Sequence, residues 1–303
     1  MKDLKNLNRG QVRVTLALSG FILSFSLCLF LLSPLQAQES KQESKPDQSV
    51  QYDVYAGGIH ALQSNLEINF SEKGRYSTTL TAKTYGLLGR LAPWQGTFES
   101  HGWRGDVIKG RPNKPELHKS TATWRGEDEI KEYSYKKDGS FNEYRITDDK
   151  YDGAPKEVDP ELTQGTTDIL TSTLNTMQLI AAGNDCEGTS EIFDGKRRFK
   201  MVFRQKDEVE LKASKWNAYA GPAIQCTVEV QPVAGKWYEK PRGWMSIQEQ
   251  GRARGTMPTV WFARINEDKP AIPVKVRVKT SYGTLFMHMT QYDDGGITLA
   301  TKD

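Results

Sequence analysis

The sequence predicts an all-β protein with one central helix: a long curled antiparallel sheet, a half-barrel or β-spiral, clasping an α-helix. Three observations carry this expectation. Short runs of alternating apolar and polar residues recur along the chain, as strands with one buried face require. Glycine turns separate these runs, several of the Asp-Gly kind that suits two-residue hairpins. One stretch, 166–182, instead repeats its apolar residues every three to four positions.

The first 37 residues read as an export signal. Lys2, Lys5, Arg9 and Arg13 precede an apolar run from Val14 to Leu32, Pro34 breaks it, and Ala37 offers a small residue before a cut at Gln38. An uncleaved membrane anchor is the alternative, because the run is about as long as a bilayer span needs. Leu27 stands before Cys28 where a lipid-attachment signal would carry a small residue. The expected location is the periplasm, free or anchored in the inner membrane, with any further membrane contact peripheral. The full chain has 41 basic and 38 acidic residues; removing 1–37 leaves 37 of each. A neutral chain lacks the positive field of a nucleic-acid binder, so no nucleic acid is expected as a partner.

Residues 38–49 (QESKQESKPDQS) hold no aliphatic or aromatic side chain and read as a disordered lead. A single β-rich domain is expected over 50–303. Leu66, Ile68 and Phe70 alternate, and Lys73-Gly74 turns the chain into Tyr76–Tyr85. Tyr133 and Tyr135 lead through Asp138-Gly139 to Phe141–Ile146. In Thr166–Ala182, Leu170, Leu174, Met177 and Ala181 form a helical stripe that Ile169 and Ile180 widen. Thr166-Thr167-Asp168 supplies a cap and Gly183-Asn184 a stop. Ile224, Cys226, Val228 and Val230 share one strand face; Ile272, Val274, Val276 and Val278 share another, and Gly283 leads into Leu285–Tyr292.

Cys186 and Cys226 are the only cysteines after the signal, and an even pair in an exported chain reads as a disulfide. The bridge would tie the helix end to a core strand.

In FDGKRRF, Phe193–Phe199, the Asp194-Gly195 turn starts a strand on which Arg197, Phe199, Met201 and Phe203 share one face and Arg198, Lys200 and Val202 the other. Arg197 and Arg198 are either the charged mouth of a hairpin or a lip for a phosphate or carboxylate headgroup. The stretch Gly235–Gly255 sets Trp237, Tyr238, Trp244 and Met245 among Lys236, Lys240, Arg242, Arg252 and Arg254. It reads either as tryptophans packed onto the sheet with arginines facing water, or as a long loop able to stack on sugar rings, cover the mouth of an acyl-chain site or meet anionic headgroups, with Trp94 and Trp103 as candidate companions at the same mouth.

Catalytic patterns are missing from the sequence: no HExxH, GxSxG or phosphate loop occurs. His60, His101, His118 and His288 are scattered singly, and no metal set or cofactor is expected. Glu127-Asp128-Glu129, Asp148-Asp149 and Asp293-Asp294 lie in polar runs beside turns, where solvated acids belong.

The succession TDILTSTL, FDGKRRF, AGPAIQCTVEVQPVAG, MPTVWFARI and IPVKVRVKTSYGTLFMHM resembles the bacterial family called domain of unknown function 3108. The likeness runs from about Tyr52 to Tyr292. It implies an exported all-β envelope protein with no assigned reaction. Together these readings point to a non-enzymatic cell-envelope protein binding a lipid, a glycan or an envelope partner in the hollow of its sheet. A carboxylate-based hydrolase of envelope glycans or lipids, or a pure interaction scaffold, is the alternative.

Overall fold

The computed structural model describes residues 45–237, 239, 244–280 and 283–301. The export signal expected at 1–37 lies outside the described residues, as do Tyr238, Lys240 and Arg242 and the side chain of Trp244. Among the described residues, fifteen strands form one antiparallel sheet.

The first run of the chain is a meander, β1 (Gln48–Ala56), β2 (Ile59–Asn69) and β3 (Arg75–Thr84), then the short helix α1 (Gly86–Leu91) and β4 (Trp94–Trp103). Strands β5 (Lys114–Trp124), β6 (Glu127–Tyr135), β7 (Phe141–Asp148) and β8 (Tyr151–Lys156) continue it. Helices α2 (Pro160–Thr163) and α3 (Ile169–Ala181) follow, then β9 (Gly188–Phe193), β10 (Arg197–Leu211) and β11 (Gly221–Gly235). The chain ends with α4 (Trp244–Ala253), β12 (Thr259–Ala263), β13 (Ile272–Thr280), β14 (Gly283–Asp293) and β15 (Thr298–Ala300). Strand order is β8-β7-β6-β5-β4-β3-β2-β1-β14-β13-β12-β11-β10-β9, with β15 on β14. Pairing β1 with β14 therefore joins two meanders into one sheet.

The sheet does not close by hydrogen bonds, because β8 and β9 stay at opposite ends of the strand order. Its ends meet instead through side chains. Phe193 of β9 sets its ring edge-on to Tyr133 of β6 and to Phe141 and Tyr144 of β7, at 5.7, 5.6 and 6.0 Å. The Asp194-Gly195 turn fits this junction only with glycine. Gly195 has φ +88°, and a Cβ there would lie 2.9 Å from the Tyr133 hydroxyl.

The expected helix is α3, and its cap is the expected aspartate. The Asp168 carboxylate accepts from the N–H groups of Leu170 and Thr171, each at 2.9 Å. Leu174, Met177 and Ile180 enter the same buried cluster as Tyr52, Ile68, Phe203, Phe262 and Met289. Tyr76 meets Thr171 at 2.6 Å, and Arg264 donates to the Ile180 carbonyl at the helix end, where a cation suits the dipole. Just beyond, Cys186 is bonded to Cys226 of β11, with both residues fully buried.

Four expectations need correction. The chain holds more than one helix. In place of a long loop, residues 244–253 form α4, whose Gln248 side chain takes both the N–H and the C=O of Val230 on β11. Ordered structure also begins two residues early, inside the lead expected over 38–49. Gln48 is fully buried in β1, where its amide donates to Tyr292 Oη at 3.1 Å and the Pro270 carbonyl at 3.2 Å. A polar residue can sit there because its donor is satisfied. Finally, Trp94 and Trp103 stand at opposite ends of β4 and share no mouth.

Candidate functional site

Directly paired residues on neighbouring strands point to the same face of a sheet. The registers therefore define one row of side chains, Gln95, Lys83, Gln63, Asp53, His288, Lys275, Trp261 and Gln225, running across β4, β3, β2, β1, β14, β13, β12 and β11. On β1 this row alternates with the buried residues Val50, Tyr52 and Val54, so it lies on the outer face.

Over β1–β4 the outer face forms a trough of about 570 Å³. Gln51, Asp53, Gln63, Asn65, Thr81, Lys83, Gln95, Thr97 and Thr290 line it. The polar half of each strand's alternation supplies the lining, and sheet twist gives the surface its concavity.

An aromatic shelf borders the trough. Tyr55 stacks on His60 with ring centres 4.9 Å apart, and His60 lies 4.2 Å from Tyr85. Trp216 meets Tyr55 edge-on at 4.9 Å. The segment 212–220 brings Trp216 there by crossing beside β14, where the Ala218 N–H donates to the Met289 carbonyl at 2.8 Å. Trp216 and Tyr85 remain 44% and 42% exposed, enough to offer a ring face to a ligand. Asp53 fixes the shelf, accepting from the Tyr55 hydroxyl at 3.4 Å while lying 3.1 Å from His60 Nε2. Burial, together with the charge and hydrogen bond of Asp53, pushes the Tyr55 hydroxyl upward and keeps it a donor.

The described members of the contact set expected from the sequence, Arg197, Arg198 and Trp237, lie elsewhere. Arg197 donates to Asp194 Oδ2 through Nε at 2.9 Å and Nη2 at 2.7 Å, and its guanidinium stands 4.6 Å from the Trp237 ring centre. Trp237 meets Phe199 edge-on and donates to the Ala234 carbonyl. Arg198 donates to Glu191 and to the Glu161 carbonyl. The structure thus brings Arg197 and Trp237 together, but each arginine already holds an internal acceptor. Arg197→Ala is expected to cost no more than about 1 kcal/mol, as for other solvent-facing ion pairs, by urea unfolding. The paired acids form turns: Asp148 accepts from the Lys150 and Tyr151 N–H groups, and Asp294 from those of Gly296 and Ile297. Burial would raise the Asp294 carboxyl, but these bonds with Asn266 and Tyr292 hold it down to about 2.

A serine, a histidine and an aspartate do converge, without forming a catalytic relay. Ser100 Oγ lies 2.7 Å from His118 Nδ1 and donates to Asp168 Oδ1 at 2.7 Å. Serine and aspartate both face the same ring nitrogen, whereas a relay places them on opposite nitrogens. All three are buried, and the aspartate is the α3 cap. The trio anchors the helix to β4 and β5.

The sequence profile of the protein family of unknown function DUF3108 matches residues 51–290. The chain belongs to that family. Both ends of the DUF3108 span, Gln51 and Thr290, line the trough. Among solved structures, this DUF3108 chain is similar to the beta-barrel-like protein of domain of unknown function DUF1849 from Brucella abortus. That likeness has 9% identity and a TM-score of 0.45, covering 81% of this chain and 96% of the other. Among curated proteins, none matches.

Proposed function

We propose that this DUF3108 member is an exported, non-enzymatic cell-envelope protein that binds a glycan along the outer trough. The observation that carries this reading is the trough with its aromatic border. Amide and hydroxyl side chains at Gln51, Gln63, Gln95, Asn65 and Thr81 offer paired donors and acceptors to sugar hydroxyls. Tyr85 and Trp216 offer ring faces to the apolar side of a pyranose.

The same geometry weighs against the other ligands considered. A lipid would need a hollow inside the curled sheet. Leu174 and Met177 of α3 pack in one cluster with Tyr52, Phe262 and Met289 there, each no more than 2% exposed. A two-acid hydrolase would need a second carboxylate beside Asp53, which is alone among the trough's lining acids.

Export rests on the Cys186–Cys226 bridge, which belongs to an oxidising compartment such as the periplasm. No helix among the described residues is long and apolar enough to cross a membrane.

Affinity electrophoresis through gels containing envelope or model polysaccharides tests the reading. Migration should be retarded, and Tyr85→Ala and Trp216→Ala should each weaken retention about tenfold, the value of one lost aromatic contact. Unretarded migration in every glycan, or retention indifferent to both substitutions, would remove the proposal. Capture of an envelope protein through this face would replace it with the scaffold reading.

A further inference from the structure

The row of outer side chains continues past the trough into a pair of cations. Lys275 and Arg277 alternate on β13 and therefore share the outer face. Lys275 Nζ stands 4.9 Å and Arg277 Cζ 5.4 Å from the ring centre of Trp261, with Phe286 5.9 Å from the lysine. Trp261 is 6% exposed, so the two cations roof an indole that would otherwise face water.

Arg197, Arg198 and Lys269 each hold a carboxylate partner, but among the described residues Lys275 and Arg277 have none. The nearest acids along the row are Asp53, two strands away at about 10 Å, and Asp207 beyond β11. Between Asp53 and Lys275 sits His288, whose Nδ1 is buried without a partner.

Two like charges at alternate positions on a half-buried strand face repel each other and lack full hydration. Burial first, and then the charge of Arg277, disfavours the protonated form of Lys275. An anion bound between them would offset the repulsion and favour the charged form of Lys275.

We propose that Lys275 and Arg277, with His288 beside them, form an anion subsite, and that the glycan of the trough is acidic. Its carboxylate or phosphate lies between the two cations while its neighbouring sugars reach back over His288 and Asp53 to the aromatic shelf. The inference rests on the glycan-binding reading and adds the charge class of the ligand. Trp261 holds the two cations from beneath, with Lys275 Nζ 4.9 Å and Arg277 Cζ 5.4 Å from its ring centre.

The test compares an oligogalacturonate hexamer with its fully methyl-esterified form, which keeps the sugar skeleton and removes the charge. Binding is measured by calorimetry on the intact, disulfide-bonded protein at low salt. The acid should bind at least about tenfold more tightly than the ester, with the difference shrinking as salt screens the contact. In Lys275→Gln/Arg277→Gln the preference should vanish, acid and ester then binding with equal affinity. Arg277→Lys, which keeps the charge, should retain most of the preference, and thermal melts of each variant establish that it folds. Equal binding of acid and ester by the native protein overturns the anion subsite and leaves the glycan reading standing, as does a preference that survives the double substitution. Failure of the acid, the ester and every polysaccharide in the electrophoresis overturns both.

Discussion

Replacing Asp168 by alanine should lower the thermal midpoint by roughly 10 °C, the consequence of about 3 to 5 kcal/mol lost in a domain of this size. The buried carboxylate has four donors: the N–H groups of Leu170 and Thr171, the Thr171 hydroxyl and the Ser100 hydroxyl. Alanine removes the helix cap, worth about 1 kcal/mol, and leaves the two N–H groups without an acceptor in the interior. The hydroxyls fare better, since Ser100 still meets His118 and Thr171 still meets Tyr76. Asp168→Asn keeps an oxygen for the cap and should lose about half as much. The charge adds a pH signature. Burial alone would raise the Asp168 carboxyl, but His118, Thr171 and Ser100 outweigh it and hold it below the ordinary carboxylate value. Its contribution is fully present above the unfolded pKa of about 4 and is lost as pH falls through the lower folded value. The native protein should therefore lose stability steeply below about pH 4, and Asp168→Asn should flatten that limb. A midpoint for Asp168→Ala within measurement error of the native one would deny the trio its anchoring role.

Where structure depends on neighbours in sequence, the chain is legible. Alternation at Ile272–Val278, the Asp194-Gly195 turn and the Asp168 cap each place an element that the fold contains. Helix α4 was hidden because its stability is not local. Gln248 is polar yet 1% exposed, and it belongs in a helix only because β11 presents an unpaired Val230 peptide to it. Gln48 fails the composition argument for the same reason, since its partners Pro270 and Tyr292 lie more than two hundred residues away. The trough and shelf were less legible still. Tyr55 and Tyr85 meet through His60 within the first meander, but Trp216 and His288 join them only where β14 pairs with β1. In the sequence His288 is merely a polar residue between two methionines. A local signal, cations interleaved with aromatics, drew attention to Gly235–Gly255. An equivalent signal on β12–β14 was split among Trp261, Lys275, Arg277 and Phe286, where no single window contains it.

Breaking the Cys186–Cys226 bridge is expected to be comparably severe. A bridge with a sequence separation of 40 removes unfolded-chain entropy worth about 4 kcal/mol, so Cys186→Ser/Cys226→Ser should melt roughly 10 °C lower. The position of the bridge says where the loss appears. Cys186 follows α3 directly, and its N–H donates to the Gln205 side chain on β10, so the helix end is held to two long strands at once. Without the bridge, amide exchange should accelerate first at Leu179–Ala182, whereas the capped start of the helix at Leu170 and Thr171 stays protected by Asp168. Uniform acceleration along α3 would mean that the helix opens as one unit and that the bridge does not fasten its end locally. Unchanged mobility on reducing and non-reducing gels, with both thiols open to alkylation in the unfolded native protein, would remove the bridge itself. The case for an oxidising compartment would then fall with it, while the registers that build the outer face depend only on strand pairing and would stand.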